Sequence, residues 1–420
     1  MMRAATKPSI ELSMIVKDGA ASLERCLKST LSFVDRIVIG DTGSVDGSPD
    51  IARDCGAEVF SIPWENHFSR ARNLVMKQSK CDWILVLDAD EMLDSAGPEQ
   101  ILEAVRRPGN FGFHNPRWNY VHDMSTRIGI QSAKENPGVL PESRQFAAYV
   151  QLPTTRLFVS HPQIYYEGCV HETVTRRLAA MKMATAKADF VVHHLGHAED
   201  SEQDRKKKDS LYHVLGIEKL KENPEDAQAL IEMGVAELDC SKNPLAALQF
   251  FDRACVQSPE SAVAWLYAGV CLSRLGRSKE AIMKLERAFA LGLRTGFLFQ
   301  AFGDAFFAAS QFADANRAYV RVADMGEASP LSEAKRGACE VQLGLVEVGI
   351  RRVQKAVADA PAYLELYDIL ATTALMAQRL DLAVETVQAR LNLGSPTEFH
   401  VGLVSAIQAQ YDQRKPIEAA

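Results

Sequence analysis

Residues 82–91 read Asp-Trp-Ile-Leu-Val-Leu-Asp-Ala-Asp-Glu. The apolar run from Trp83 to Leu87 is typical of a strand buried on both faces, as in a parallel sheet covered by helices. Two acids, Asp88 and Asp90, follow it directly. A carboxylate at the end of a buried strand is costly unless it is paired or coordinated. This stretch therefore predicts both a sheet and a site at its edge.

The same alternation of apolar runs and helical stretches continues upstream. The segments Ile10–Val16, Ile37–Ile39 and Val59-Phe60 predict three more strands, and Ala21–Phe33 and Pro49–Cys55 predict helices between them. The connections are long enough for right-handed crossovers. We therefore predict a doubly wound α/β domain with a mostly parallel, Rossmann-like sheet. In such sheets ligands bind outside the carboxyl ends of the strands.

The chain changes character near residue 200. From about Pro224 onward a repeat of about 34 residues predicts tetratricopeptide helix pairs, four or five in number, stacked as an all-α solenoid. The clearest unit carries Trp265, Gly269, Leu272, Gly276, Ala281, Leu285 and Ala288, and the neighbouring units have Gly234, Gly303 and Gly337 in the place of Gly269. We predict an α/β domain at 1–198, a charged linker helix at 199–224 and a repeat domain at 225–420.

Composition excludes several classes of protein. The 420 residues carry a formal net charge of −7, which gives no overall field for nucleic acid. No apolar run reaches the length of about 18 residues that a membrane span requires, so we expect a cytoplasmic protein. Eight cysteines lack the spacing of a zinc site and are expected to be reduced thiols.

Two loops carry candidate chemistry, and each has an ordinary structural alternative. Asp88-Ala89-Asp90 is either a turn or helix cap, or a site where a divalent cation binds carboxylate, phosphate and water oxygens. The segment Asp41–Ser48 is either a simple βα loop or a nucleotide-contacting loop, with Gly43 and Gly47 allowing tight backbone paths. The stretch from Asn110 to Pro153 lacks periodicity, and we predict an irregular loop that shapes a substrate site.

Short motifs spread over the first 200 residues occur together in one order. They are Ser13–Asp18, Asp41–Ser48, Pro63-Trp64, Phe68–Asn73, Asp82–Glu91, Arg156–Phe158, Gly168, Val170–Glu172 and His194–Gly196. In this order and spacing they resemble the family 2 glycosyltransferases of the GT-A fold. The resemblance is closest to a bacterial branch fused to tetratricopeptide repeats, which includes peptide S-glycosyltransferases acting on bacteriocin precursors.

The resemblance implies roles for residues that would bind a nucleotide sugar. Asp41 would contact the base, and Val16 and Lys17 would line the same site. Arg72 would lie near the base or the phosphates, and Asp88 would contact the ribose or a metal-bound water.

The resemblance also implies a metal and a base. Asp90 would bind Mn²⁺ or Mg²⁺ that bridges the diphosphate. His194 would complete the metal site, although His193 and His197 are alternatives at that position. Glu172 would be the catalytic base, in a His-Glu pair where the family more often has Glu-Asp.

These implications lead to one functional expectation and one alternative. We expect a metal-dependent, inverting hexosyltransferase that moves a sugar from a nucleotide diphosphate, UDP in the first place, to a hydroxyl or thiol. The repeats would bind a protein, peptide or glycan acceptor, or pair two copies of the chain. The alternative is an inactive transferase-like domain that serves a repeat scaffold. The donor sugar, the acceptor and the oligomeric state stay open.

Overall fold

A computed structural model describes residues 7–414 except 125, 170, 171, 200, 240 and 395–397. The chain divides into two compact units, with the boundary after Pro224. No helix among the described residues is both long and apolar enough to cross a membrane. All cysteines but Cys240 fall in the described part, and these are free thiols.

The first unit contains a large mixed sheet with strand order β3-β2-β1-β4-β10-β6-β12-β5. Strands β1 to β4 run parallel, and β10 pairs antiparallel with both β4 and β6. The predicted α/β fold class is confirmed. The strands are β1 Ile10–Val16, β2 Arg36–Asp41, β3 Glu58–Ser61, β4 Trp83–Val86, β5 Glu91–Leu93, β6 Gly112–Val121, β7 Arg127–Ile128, β8 Gln131–Ser132, β9 Lys134–Glu135, β10 Ala148–Val159, β11 Thr185–Lys187 and β12 Val192–His194.

Both faces of this sheet are buried, because successive residues of β4 pack into different cores. Leu85 joins a cluster with Leu12 and Phe113, whereas Ile84 joins a cluster with Phe158. The helices of the first unit are α1 Ala20–Lys28, α2 Ser48–Asp54, α3 Phe68–Met76, α4 Gly97–Ala104, α5 Thr175–Ala180, α6 Gly196–Glu199 and α7 Glu202–Glu222, with a 3₁₀ turn at Pro141–Ser143.

The expectation of an irregular loop from Asn110 to Pro153 is wrong at both ends of that stretch, which are long paired strands. Strands β6 and β10 pair over ten residues or more of each strand, with Pro116 directly opposite Pro153. Proline cannot donate to the ladder and is usually confined to sheet edges, so these two residues hid the strand pattern. The aromatic residues there are structural: Tyr120 is fully buried, and Trp118 stacks on Tyr149 with ring centroids 4.1 Å apart.

The second unit is a series of helices. They are α8 Ala227–Asp239, α9 Pro244–Gln257, α10 Ala262–Arg274, α11 Ser278–Ala290, α12 Gly296–Ala308, α13 Phe312–Asp324, α14 Pro330–Gln342, α15 Val346–Asp359, α16 Leu364–Met376, α17 Leu380–Leu393 and α18 Glu398–Arg414. The predicted small residues lie where paired helices approach. A Cβ at Gly269 would stand 2.7 Å from Leu285, and one at Gly337 would stand 2.7 Å from the carbonyl of Gly349. Each pair packs closely for this reason.

Candidate active site

The site predicted at the carboxyl edge of the sheet begins with two neighbouring strands. Val16 ends β1 directly opposite Asp41 at the end of β2. The loops that follow are bonded to each other, since the Asp18 carboxylate accepts from the Val45 amide at 2.8 Å and the Ser48 hydroxyl accepts from the Gly19 amide at 2.9 Å. This frame holds the predicted nucleotide-binding residues in fixed positions.

The side chain of Asp41 is largely buried and bonds within its own loop. It accepts from the amides of Gly43 and Ser44 at 3.1 to 3.3 Å. Gly43 and Gly47 have φ values of +101° and +86°, in the region that favours glycine, as the tight loop requires. Lys17 is exposed beside this loop.

Three of the predicted residues form one hydrogen-bonded group. Arg72, on α3, donates from Nε to Glu172 Oε1 at 2.6 Å and from Nη2 to Asp88 Oδ1 at 2.6 Å. One buried guanidinium therefore holds together two carboxylates that lie 84 positions apart in the sequence. Arg72 also lies over the Tyr166 ring, 5.5 Å from its centroid.

A second arginine, Arg156 on β10, extends this group into the core. Its Nη2 donates to Asp88 Oδ2 at 2.8 Å and also to the carboxylate of Glu91, which is fully buried. Glu91 further accepts from Arg117 at 3.5 Å and, through its other oxygen, from the Asp88 amide at 3.0 Å. Both carboxylate oxygens of Asp88 are thus bound by arginines.

The charges in this group follow from these contacts. Burial opposes ionisation of Asp88, but the positive charges of Arg156 and Arg72 outweigh it and hold the pKa of Asp88 well below its usual range. The same carboxylates keep the pKa of both guanidiniums above its ordinary value in spite of burial. Asp88, Arg72 and Arg156 are therefore charged at neutral pH.

The predicted metal ligands lie next to this group. His194 Nε2 is 3.2 Å from Asp90 Oδ2, and His194 Nδ1 is 2.8 Å from Asn119 Oδ1. An amide oxygen can only accept, so Nδ1 donates to Asn119, and only a protonated Nε2 can donate to the Asp90 carboxylate. Burial lowers the pKa of His194, and the negative charge of Asp90 more than restores it.

The other two candidate histidines differ from His194. His193 is fully buried, with Nδ1 2.8 Å from the Tyr120 hydroxyl and Nε2 3.4 Å from Asp94, and burial lowers its pKa. The side chain of His197 lies outside the described part of the chain, as do Val170 and His171 of the predicted motif.

Exposure separates the site into two layers. The side chains of Asp88, Asp90 and His194 are 32%, 28% and 20% exposed, whereas Arg72 and Arg156 are below 10% and Glu91 is at 0%. The two arginines therefore bind the Asp88 carboxylate from its buried side. No role was predicted for Arg156 or Glu91, although a charged residue within the mostly apolar strand Ala148–Val159 indicates a buried acidic partner.

Among the described residues, Asp90 and His194 offer two ligands to a divalent cation, which would need further ligands. No group of three or more His, Cys, Asp or Glu side chains able to hold a metal was found within the described ranges. A carboxylate and an imidazole whose second nitrogen bonds to an amide oxygen are a suitable pair of ligands. Phosphate and water oxygens would supply the rest.

The first unit matches a known family. Residues 13–137 match the model for glycosyl transferase family 2. The chain is 30% identical over 240 residues to a TPR repeat-containing protein of Synechococcus elongatus, covering 56% of this chain and 53% of that protein. It is 23% identical over 168 residues to the SPbeta prophage-derived glycosyltransferase SunS of Bacillus subtilis, covering 39% of this chain and 34% of SunS.

The chain thus spans about half the length, or less, of these relatives. Among solved structures, the TPR protein YrrB is 19% identical, with a TM-score of 0.36 and coverage of 45% of this chain and 97% of YrrB. The resemblance found in the sequence is confirmed: residues 13–137 match a glycosyl transferase family 2 model, a relative named as a TPR repeat-containing protein matches 56% of the chain, and the second unit is a series of helices.

Proposed function

We propose that the first unit transfers a sugar from a nucleotide diphosphate sugar to an acceptor hydroxyl or thiol. A UDP-sugar is the first candidate for the donor. The observation that carries the proposal is the pair Asp90–His194 beside the Arg72-linked carboxylates Asp88 and Glu172, at the carboxyl edge of the sheet. A divalent cation held by Asp90 and His194 would stabilise the negative charge that develops on the diphosphate.

Glu172 is proposed as the general base. It is 13% exposed and is held at 2.6 Å by Arg72, which also fixes Asp88. In one displacement the bond from the anomeric carbon to the phosphate oxygen breaks, and the bond to the acceptor forms on the opposite face. The acceptor proton passes to Glu172, and the nucleotide diphosphate leaves. A single displacement inverts the configuration at the anomeric carbon.

The test is transfer from a panel of UDP-, GDP- and TDP-sugars, with Mn²⁺ and with a chelator. We expect metal-dependent turnover in the wild type and its collapse in Asp90→Asn. Glu103, an exposed acid on α4 paired with Arg107, offers the matched control Glu103→Gln, which keeps full activity. Turnover that Asp90→Asn leaves intact would remove the metal role. A wild type that transfers from no donor would favour an inactive domain serving the repeats.

A second variant isolates the base. Glu172→Gln keeps an acceptor for Arg72 but cannot take a proton, so we expect kcat to fall by about 10²–10⁴-fold with donor affinity retained. Mn²⁺ binding, followed by the electron paramagnetic resonance of the free ion, should weaken in Asp90→Asn and stay unchanged in Glu172→Gln. A wild-type kcat in Glu172→Gln would remove the base assignment.

The repeats are proposed to bind the acceptor protein or peptide. Helix pairs with small residues at the closest approach, such as Gly269 against Leu285, leave long helix surfaces for a partner. Pairing of two copies through the repeats is the other use of such surfaces. Light scattering of the whole chain, alone and with acceptor, separates the two.

A further inference from the structure

Helix α7 was predicted as a linker, yet it packs against the candidate active site. Leu215 is buried, and its carbonyl oxygen is 3.7 Å from the Cys169 thiol. The carbonyl of Cys169 accepts in turn from the Phe68 amide at 3.0 Å, where α3 begins. Arg72 lies one helical turn after Phe68. Successive contacts therefore connect α7 to the helix that carries Arg72.

Tyr212 lies one turn before Leu215 on α7 and faces the same region. Its ring centroid is 6.3 Å from that of Phe68, and Phe68 contacts Trp64 edge-on at 4.9 Å. We call Trp64, Phe68 and Tyr212 the aromatic wall. Tyr212 is 40% exposed, so part of its ring remains open to a ligand.

The acidic residues of the site act on the Tyr212 phenol. Partial desolvation raises its pKa, and the negative charges of Asp88, Glu172 and Asp90 raise it further, to about 12. The hydroxyl is therefore protonated at neutral pH and can donate a hydrogen bond. Asp88 and Asp90 follow β4, and Glu172 follows β10. Tyr212 contacts Phe68 at the start of α3, the helix whose Arg72 binds both Asp88 and Glu172.

The packing of Tyr212 against Phe68, one turn before Arg72 on α3, indicates what Tyr212 would contact. If the proposed function holds, Asp90 lies at the diphosphate and Glu172 at the acceptor, and the group between them is the sugar in transfer. We propose that Tyr212 contacts this sugar and contributes to the choice of donor sugar. Its ring offers an apolar face for the C–H side of a pyranose, and its hydroxyl donates to a sugar oxygen.

The experiment compares binding of UDP with binding of UDP-glucose, UDP-galactose and UDP-N-acetylglucosamine by calorimetry, on the full chain with Mn²⁺. UDP lacks the sugar, and its terminal phosphate is the same in every measurement, so a change in the ratio of its Kd to that of a UDP-sugar between wild type and variant reports on the sugar contact. We expect Tyr212→Ala to lower this ratio about tenfold for the best-bound sugar, to change the order of preference among the three, and to leave Kd for UDP within twofold. Tyr212→Phe should lose only part of the ratio.

Val214 lies on the same helix and is 51% exposed, so Val214→Ala controls for general effects on α7. Equal weakening of UDP and the UDP-sugars by Tyr212→Ala would mean that Tyr212 only supports the fold, and unchanged ratios would also overturn the proposal. A wild type that binds none of the four compounds would instead remove the UDP-sugar function on which the proposal rests. The two failures are therefore distinguishable.

Discussion

Replacing Arg156 by methionine tests whether the buried arginines hold the site together. Arg156 is 7% exposed and contacts Asp88 and Glu91 through one nitrogen, while Glu91 is completely buried. Methionine fills much of the volume but leaves Glu91 with a reduced set of partners. The Asp88 carboxylate keeps Arg72, and Glu91 keeps Arg117 at 3.5 Å.

The expected cost follows from these contacts. Removing one partner of a buried ion pair typically costs about 3–5 kcal/mol, because a charge is left uncompensated. Since each acid keeps one arginine, we expect the lower end, about 3 kcal/mol of the free energy of unfolding. With a urea dependence of about 2 kcal/mol/M, the midpoint should fall by roughly 1.5 M.

The assay must follow the first unit separately, because the two units need not unfold together. Trp64, Trp83 and Trp118 lie in the first unit and Trp265 in the second. Urea unfolding followed by tryptophan fluorescence in a Trp265→Phe background therefore reports on the first unit. All variants of this series carry the Trp265→Phe substitution for that reason.

Two further variants decide whether the cost comes from buried charge. Arg107 pairs with Glu103 at the surface, where ion pairs contribute only about 0–1 kcal/mol, so Arg107→Met should hardly move the midpoint. Adding Glu91→Gln to Arg156→Met should recover part of the loss, because the unpaired charge is removed. A midpoint for Arg156→Met no lower than that of Arg107→Met would refute the reasoning.

Two glycines give further predictions. A Cβ at Gly196 would overlap the Asp90 carboxylate, so Gly196→Ala should weaken Mn²⁺-dependent transfer at least tenfold, as measured by initial rates, while the far-ultraviolet circular dichroism stays unchanged. A Cβ at Gly303 would overlap the Tyr319 ring, so Gly303→Ala should destabilise the repeats by about 1–3 kcal/mol in thermal unfolding. The matched control for both is Gly402→Ala, since a Cβ at Gly402 meets nothing within 4 Å; it should stabilise its helix slightly. Normal activity in Gly196→Ala, or a cost for Gly402→Ala equal to that for Gly303→Ala, would contradict the packing argument.

The first strands were predictable from apolar runs, and the repeats were predictable from a period of about 34 residues. Ile10–Val16 was predicted with the bounds that the structure has, since a mostly apolar run that ends at Lys17-Asp18 leaves little choice. Gly269 and Gly337 were predictable because a regular repeat brings the same position of each helix to its partner. Strand Ala148–Val159 was missed because Pro153 interrupts its pattern and because its partner strand β6 lies elsewhere in the sequence.

The acids of the site were predictable as positions but not as partners. Asp88 and Asp90 are two residues apart and follow the same strand, yet Asp88 is bound by Arg72 and Arg156 while Asp90 faces His194. The arginines come from α3 and β10, and only the folded sheet brings them to one acid. Asp88 is thus neutralised by two fixed positive charges, whereas Asp90 faces a histidine, which can release its proton. On the proposed function Asp90 is the acid that would meet a cation, and the Asp90→Asn variant separates a metal-dependent enzyme from one that transfers without a cation.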